Sequence, residues 1–303
     1  MTIALLGASW LGLAGLVSPG GIRAITRLPA RAQAAVLFVA TLGLGAIPAS
    51  IPSILLLGAL EEGGGFTLRR CGRLIAAVLA QPLAQPRIGL ALAVLVAGFV
   101  GICLGCVRAW RSQASSRRLA VAGNSPLVTV ASPEPFAFTA GFLSPRVVVS
   151  SGLLGSAPAP WQRVVLAHEE AHRRGRHPLL VFVVESLARG LPLAPLRWAA
   201  NSFRLALEFV ADEHVLAEVG DREAVAEAIA GMALAPVAGV AFEGNEVRRC
   251  RRLLGPSARR TARLAGRVLF ALLLGVLTLS GGHALHCAEA SLHALAAIQC
   301  RHV

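Results

Sequence analysis

The chain of 303 residues contains no lysine and no tyrosine, and its net charge of +13 comes from arginine set against only 16 acidic residues. Without lysine, no Ser-x-x-Lys nucleophile pair can exist. Without tyrosine, and with aromatics at 5% of the chain, there is no evident stacking platform for nucleic acid, so direct nucleic-acid binding is not expected despite the charge. The same absence removes the tyrosine hydroxyl as a device for stabilising an oxyanion. The shortage of acidic residues makes every carboxylate that sits among apolar neighbours informative.

Apolar residues are abundant. They make up 55% of the chain, with a mean hydropathy of +0.66, which is too apolar for a soluble protein and points to membrane insertion. Four stretches lack charge for long enough to span a bilayer: residues 1–22, 32–60, 88–107 and 268–288. The segment 178–200 is apolar too, but it carries Glu185, Arg189, Arg197 and three prolines. It is expected to be one apolar helix packed in the fold or on the bilayer surface rather than a fifth crossing. Arginines cluster at 23–31, 108–118 and 259–267, each next to an apolar stretch. Cytoplasmic loops carry such an excess. The expected topology therefore has an outside N-terminus, a cytoplasmic central domain and an outside tail, in a multi-pass protein of the plasma membrane. Loop 61–87, with Arg69, Arg70 and Arg73, blurs this bias. In this topology Cys71, Cys287 and Cys300 fall outside, where a Cys287–Cys300 bridge is permitted. Cys103 and Cys106 lie within an apolar stretch and read as small-residue packing, and Cys250 as a plain cytoplasmic thiol.

The central domain carries the most specific motif, His168-Glu-Glu-Ala-His172. Two histidines four apart on a helix project from one face and can share one Zn2+, and Glu169 is placed to take a proton from a water at that ion. A helical run, Trp161 to Ala167, leads into it. A zinc hydrolase needs a third protein ligand, and Glu208 meets that need. Asp212, four residues on, shares its face and can accept a hydrogen bond from the free ring nitrogen of a ligand histidine. Phe209, Val210 and Ala211 between them argue against a merely solvated acidic face. His214 is a candidate for stabilising an oxyanion. His177 lies about half a turn round the helix from His168 and reads as structural, and Glu170 faces away from the metal. Upstream, Leu127–Ala131, Phe136–Ala140 and Arg146–Ser150 read as short strands separated by Pro- and Gly-containing turns. An extended substrate could add to an edge strand of such a sheet.

These motifs, together with Arg176-His177 and the segment Phe136 to Leu154, resemble the gluzincin pattern shared by the HtpX and CAAX-prenyl endopeptidases and the BlaR/MecR-type integral-membrane peptidases, and lie closer to the latter. The resemblance spans about residues 120–265. It implies a mainly α membrane protein of about four transmembrane helices plus an α+β zincin-like peptidase domain. The expected division is a membrane domain at 1–108, a zinc metallopeptidase domain at 109–266, and a final span with a short tail at 267–303. The implied activity is a membrane-embedded zinc endopeptidase that cuts a protein or peptide substrate, such as a cytoplasmic transcriptional repressor. An HtpX-like quality-control protease is the alternative. A catalytically silent zinc-binding signal transducer is a third reading, and the presence of Glu169 argues against it. Only residues 289–303 follow the last apolar stretch, so no penicillin-binding sensor domain is expected.

Overall fold

The computed structural model describes residues 2–62, 86–114, 116, 118, 125–234, 245–255 and 264–275. Most of loop 61–87, most of the expected span 268–288, and Cys71, Cys287 and Cys300 lie outside the described residues.

Four helices come first: α1 (Thr2–Leu16), α2 (Pro19–Ile25), α3 (Ala30–Glu62) and α4 (Pro86–Ser112). Ser18 starts α2 by accepting a hydrogen bond from the Gly21 amide, with Pro19 in the first turn, where no amide is needed. A small sheet follows, built of β1 (Leu127–Val130), β2 (Ala137–Ala140) and β3 (Arg146–Ser150). The order is β1-β3-β2. β3 pairs parallel with β1 and antiparallel with β2, in a register that sets Phe138 opposite Val148. The central strand is the buried one, and β2 forms an edge. The remaining helices are α5 (Ser151–Ser156), α6 (Ala159–Arg174), α7 (His177–Gly190), α8 (Ala194–Val219), α9 (Arg222–Leu234), α10 (Asn245–Leu254) and α11 (Leu264–Gly275). The expected strands all form, and the fold is mainly helical with one small sheet.

Among the described residues, Ala93–Ser112 of α4 is the one helix long and apolar enough to cross a membrane, and only 11% of it is buried. Leu6–Leu16, Ala30–Ala46 and Leu264–Gly275 are shorter apolar stretches. Leu90, Phe99 and Trp110 of α4 are more than half exposed.

The segment 178–200 is not one helix. α7 ends at Gly190, and α8 begins at Ala194 with a proline in its first turn. Gly190, Pro192 and Pro195 interrupt the helical ladder, as expected of residues that break or restart helices. The charge of Glu185 is accommodated by pairing. It is buried, and it binds Arg189 at 2.7 Å and Arg204 of α8.

α7 lies along α4 at backbone contact. A Cβ added at Gly105 would meet the Ser186 carbonyl oxygen at 2.1 Å, and one added at Gly190 would meet the Gly101 carbonyl oxygen at 2.5 Å. Small residues four apart on both helices permit this approach. These glycines permit the close approach; of the two cysteines on α4, Cys103 is exposed and Cys106 half-buried. On its other side the core joins α3 to α8, with Leu37, Leu44, Leu196 and Phe203 all buried and the Phe38 and Phe203 rings 5.7 Å apart. A second cluster of Val164, Val215, Val225, Ile229 and Leu253 ties α6, α8, α9 and α10 together.

Gly105→Leu is expected to force α4 off α7 and to lower stability by about 1–3 kcal/mol, seen as a lower melting temperature in detergent. An unchanged melt would mean the two helices are not held at backbone contact.

Candidate metal centre

α6 buries Val164, Ala167, His168 and Ala171, a single i, i+3, i+4, i+7 stripe. That stripe turns His168 inward and leaves His172 one turn further along the same wall. α8 opposes it with Glu208 and the buried Asp212. The Nε2 atoms of His168 and His172 lie 3.0 Å apart. Glu208 reaches His168 Nε2 with Oε2 at 3.2 Å and His172 Nε2 with Oε1 at 3.5 Å. One donor atom from each of the three residues lies within 4.8 Å of the others, a group able to hold a metal ion. Two imidazole nitrogens and one carboxylate oxygen form a donor set that suits Zn2+ and leaves a position open for water.

Each histidine is oriented through its other nitrogen. Asp212 Oδ1 lies 3.1 Å from His168 Nδ1, so the Nδ1–H of that ring donates to the carboxylate. His172 Nδ1 lies 2.8 Å from His177 Nδ1. For His172 Nε2 to offer a lone pair, its Nδ1–H must be the donor and His177 the acceptor. Helix projection alone placed His177 away from the site. What brings it back is the turn between α6 and α7, where Arg176 adopts the left-handed conformation with φ 49°. Gly175 makes room, since a Cβ there would meet His177 Nε2 at 2.4 Å.

A further residue comes from far along the chain. Arg249 of α10 grips Asp212 in a two-pronged pair, Nε to Oδ2 at 2.9 Å and Nη2 to Oδ1 at 2.7 Å. Its Nη1 lies 3.2 Å from Glu208 Oε2, and Nη2 rests against the His168 ring at 3.3 Å from Nδ1. In the sequence this arginine sits in the basic run Arg248 to Arg252, and nothing local marks it out.

Glu169 points toward the sheet. Thr139 Oγ1, on the edge strand β2, lies 2.8 Å from both the Glu169 carboxylate and its main-chain carbonyl. Glu170 is turned away and pairs with Arg173 and Arg174 at 2.6 and 2.7 Å. His214 is not brought to the centre. It lines a separate cavity between α3, α6, α7 and α8. A cavity of about 620 Å³ lies over the cluster, walled by Pro135 to Ala140 on one side and by apolar residues such as Ile229 and Met232 on another.

The electrostatics follow from burial and charge. Burial and the Arg249 charge oppose a protonated His168, but its hydrogen bonds to Asp212 and Glu208 outweigh them and raise its pKa to about 9. Burial keeps His172 neutral, with a pKa near 4, and His177 likewise, near 3. The two Nε2 atoms thus share one proton, carried by His168. Burial alone would raise Glu208, yet the two histidines and Arg249 hold it well below the usual carboxylate range. Burial pushes Glu169 up, against the opposing effects of His168 and Thr139.

Residues 109–236 match peptidase family M48. No curated protein and no solved structure matches the chain. The matched stretch is shorter than half of the chain, and it contains α6 and α8 with the whole His168, His172 and Glu208 cluster. The match supports a metallopeptidase, with a protein or peptide as its substrate. Arg249 falls outside it.

Two outcomes test the centre. A metal ion must displace the one proton on His168, so affinity should rise about ten-fold per pH unit up to about 9 and then level off. Calorimetry in buffers of different ionisation heat should show about one proton released per zinc at pH 7, and no release would contradict the shared-proton arrangement. His177→Ala should weaken zinc binding by about 10- to 100-fold, the range for a partner that orients a ligand. An unchanged affinity would reduce His177 to packing.

Proposed function

We propose that the protein is a membrane-embedded zinc endopeptidase in which His168, His172 and Glu208 hold one Zn2+, Asp212 orients His168, and Glu169 is the general base. The observation that carries this reading is the convergence of the three donor atoms beside a carboxylate that is itself held in place by the wall of a cleft. Bound there, the ion acts as a Lewis acid that polarises the scissile carbonyl and acidifies the attacking water. Glu169 receives the proton of that water and later delivers it to the leaving amine nitrogen. Burial raises its pKa above the ordinary carboxylate value, the direction that makes a carboxylate a stronger base. Thr139 fixes one carboxylate oxygen and leaves the other for the water. The outer edge of β2, unpaired among the described residues, offers main-chain groups to an extended substrate, with the scissile bond beside Glu169. No tyrosine is available for the oxyanion, and His214 lies elsewhere.

The membrane reading is supported by the long, largely unburied apolar face of α4 and by the arginine clusters that flank the apolar stretches. On this reading α1, α3, α4 and the segment from α11 onward are four spans in contact with lipid, and the metal centre faces the cytoplasm. Three spans before the zinc helix and one after it match the BlaR/MecR arrangement better than the HtpX one. Regulatory cleavage of a cytoplasmic repressor-like protein is therefore favoured over quality control.

Glu169→Gln should abolish peptide cleavage while zinc content stays at one per chain, because Glu169 lies outside the ligand set. Parallel metal and peptidase assays separate the two effects. A variant that still cleaves would remove Glu169 from the base role, and one that loses its zinc would make it a ligand.

A further inference from the structure

Helix α10 carries two arginines one turn apart that reach in different directions. Arg249 enters the metal centre and closes on Asp212. Arg252 reaches the connection between α2 and α3. Its Nη2 donates to the Leu28 carbonyl at 3.0 Å and its Nη1 to the Thr26 carbonyl at 3.3 Å. Glu213 accepts from Arg252 at 3.3 Å and also from the Ala30 amide, the first residue of α3, at 3.3 Å. The Arg252 guanidinium lies over the Phe209 ring, 4.6 Å from its centre. Adjacent carboxylates on α8 therefore hold the two arms, Asp212 taking Arg249 and Glu213 taking Arg252.

We propose that α10 is a brace whose inner arm, Arg249, positions His168 through Asp212 and whose outer arm, Arg252, is seated by the α2–α3 connection, so that the placement of the first apolar helices sets the geometry of the metal centre. Ten residues cannot hold a helix by their own propensity. The position of α10 is set by what it touches. Among the described residues its tertiary anchors include the two arginines, the buried Leu253, the Cys250 contact to the Ala226 carbonyl, and Arg222 on the Leu253 carbonyl. Of these, only Arg252 connects α10 to the N-terminal helices by hydrogen bonds. Asp212 is gripped on both oxygens, so a shift of Arg249 moves the one carboxylate that receives the His168 Nδ1–H. Asp212 holds the Nδ1 side of that ring, while Glu208 and His172 face its Nε2. The contacts therefore form one continuous chain from Thr26 and Leu28 through Arg252, α10, Arg249 and Asp212 to a metal-ligating imidazole. Coupling of this kind is a physical linkage only if both ends bias the same element, and α10 is that element. Arg249 and Arg252 are positioning residues here and touch no reacting atom.

The inference rests on the metal-centre reading, and the test separates the two. Full-length protein is purified in detergent as wild type, Arg249→Gln, Arg252→Gln and the double variant. Zinc affinity is measured by chelator competition, and the visible spectrum of the Co2+-loaded protein reports ligand geometry. Arg249→Gln should lower affinity about 10- to 100-fold. Arg252→Gln, far from the ligands, should lower it about 3- to 10-fold and shift the Co2+ bands in the same direction. In the Arg249→Gln background, Arg252→Gln should add little, because the two act through one path. An Arg252→Gln protein with unchanged affinity and spectrum overturns the brace, as does a double variant whose losses simply multiply. If Arg252→Gln fails to fold, Glu213→Gln removes the same arm from the other side and must give the same partial, non-additive loss. Wild-type protein that binds no stoichiometric zinc overturns the metal-centre reading itself.

Discussion

One carboxylate taken out of water, Asp212, governs this domain. Asp212 is 2% exposed, and Glu208 sits beside it over the same cavity. A buried carboxylate is costly unless positive groups and hydrogen-bond donors surround it. His168 and Arg249 supply both, and the result is a compact alternation of charge: guanidinium, carboxylate, imidazole, carboxylate. Removal of any one member leaves another unpaired, so the packing of α6, α8 and α10 is also the assembly of the site. The ion pair Arg249 with Asp212 has the two-pronged geometry that best offsets desolvation, and it explains why a basic helix otherwise fit for solvent is drawn inward.

The small sheet contributes more than its thirteen residues suggest. Its edge strand β2 lines the cleft and supplies Thr139 to Glu169. A slip of β2 by one residue would turn Thr139 to the other face of the sheet. The buried central strand β3 resists such a slip, because Val147, Val148 and Val149 are all within the core.

Much of this was legible in the sequence, for reasons that are local. His168 with His172 and Glu208 with Asp212 each follow helical spacing, so their shared faces can be counted off. The three strands stood out as short apolar runs between Pro- and Gly-containing turns. What could not be read were contacts made by distant parts of the chain. Arg249 meets His168 across 81 positions. His177 returns to His172 because Arg176 takes a left-handed turn, which helical projection does not foresee. The split of 178–200 into α7 and α8 follows from Gly190, Pro192 and Pro195, which the apolar composition masked. The close approach of α4 and α7 at Gly101, Gly105 and Gly190 could not be read either, since the closeness of two backbones has no signature on one helix alone.

The central claim is a metal held by two imidazoles and one carboxylate, and X-ray absorption at the zinc edge addresses it most directly. The zinc-loaded protein should show nitrogen and oxygen scatterers alone at about 2.0–2.2 Å, with the multiple-scattering pattern of two imidazole rings. That pattern should fall to one ring in His172→Ala. A sulfur scatterer at about 2.3 Å, or imidazole scattering unchanged in His172→Ala, would contradict it and place the metal elsewhere.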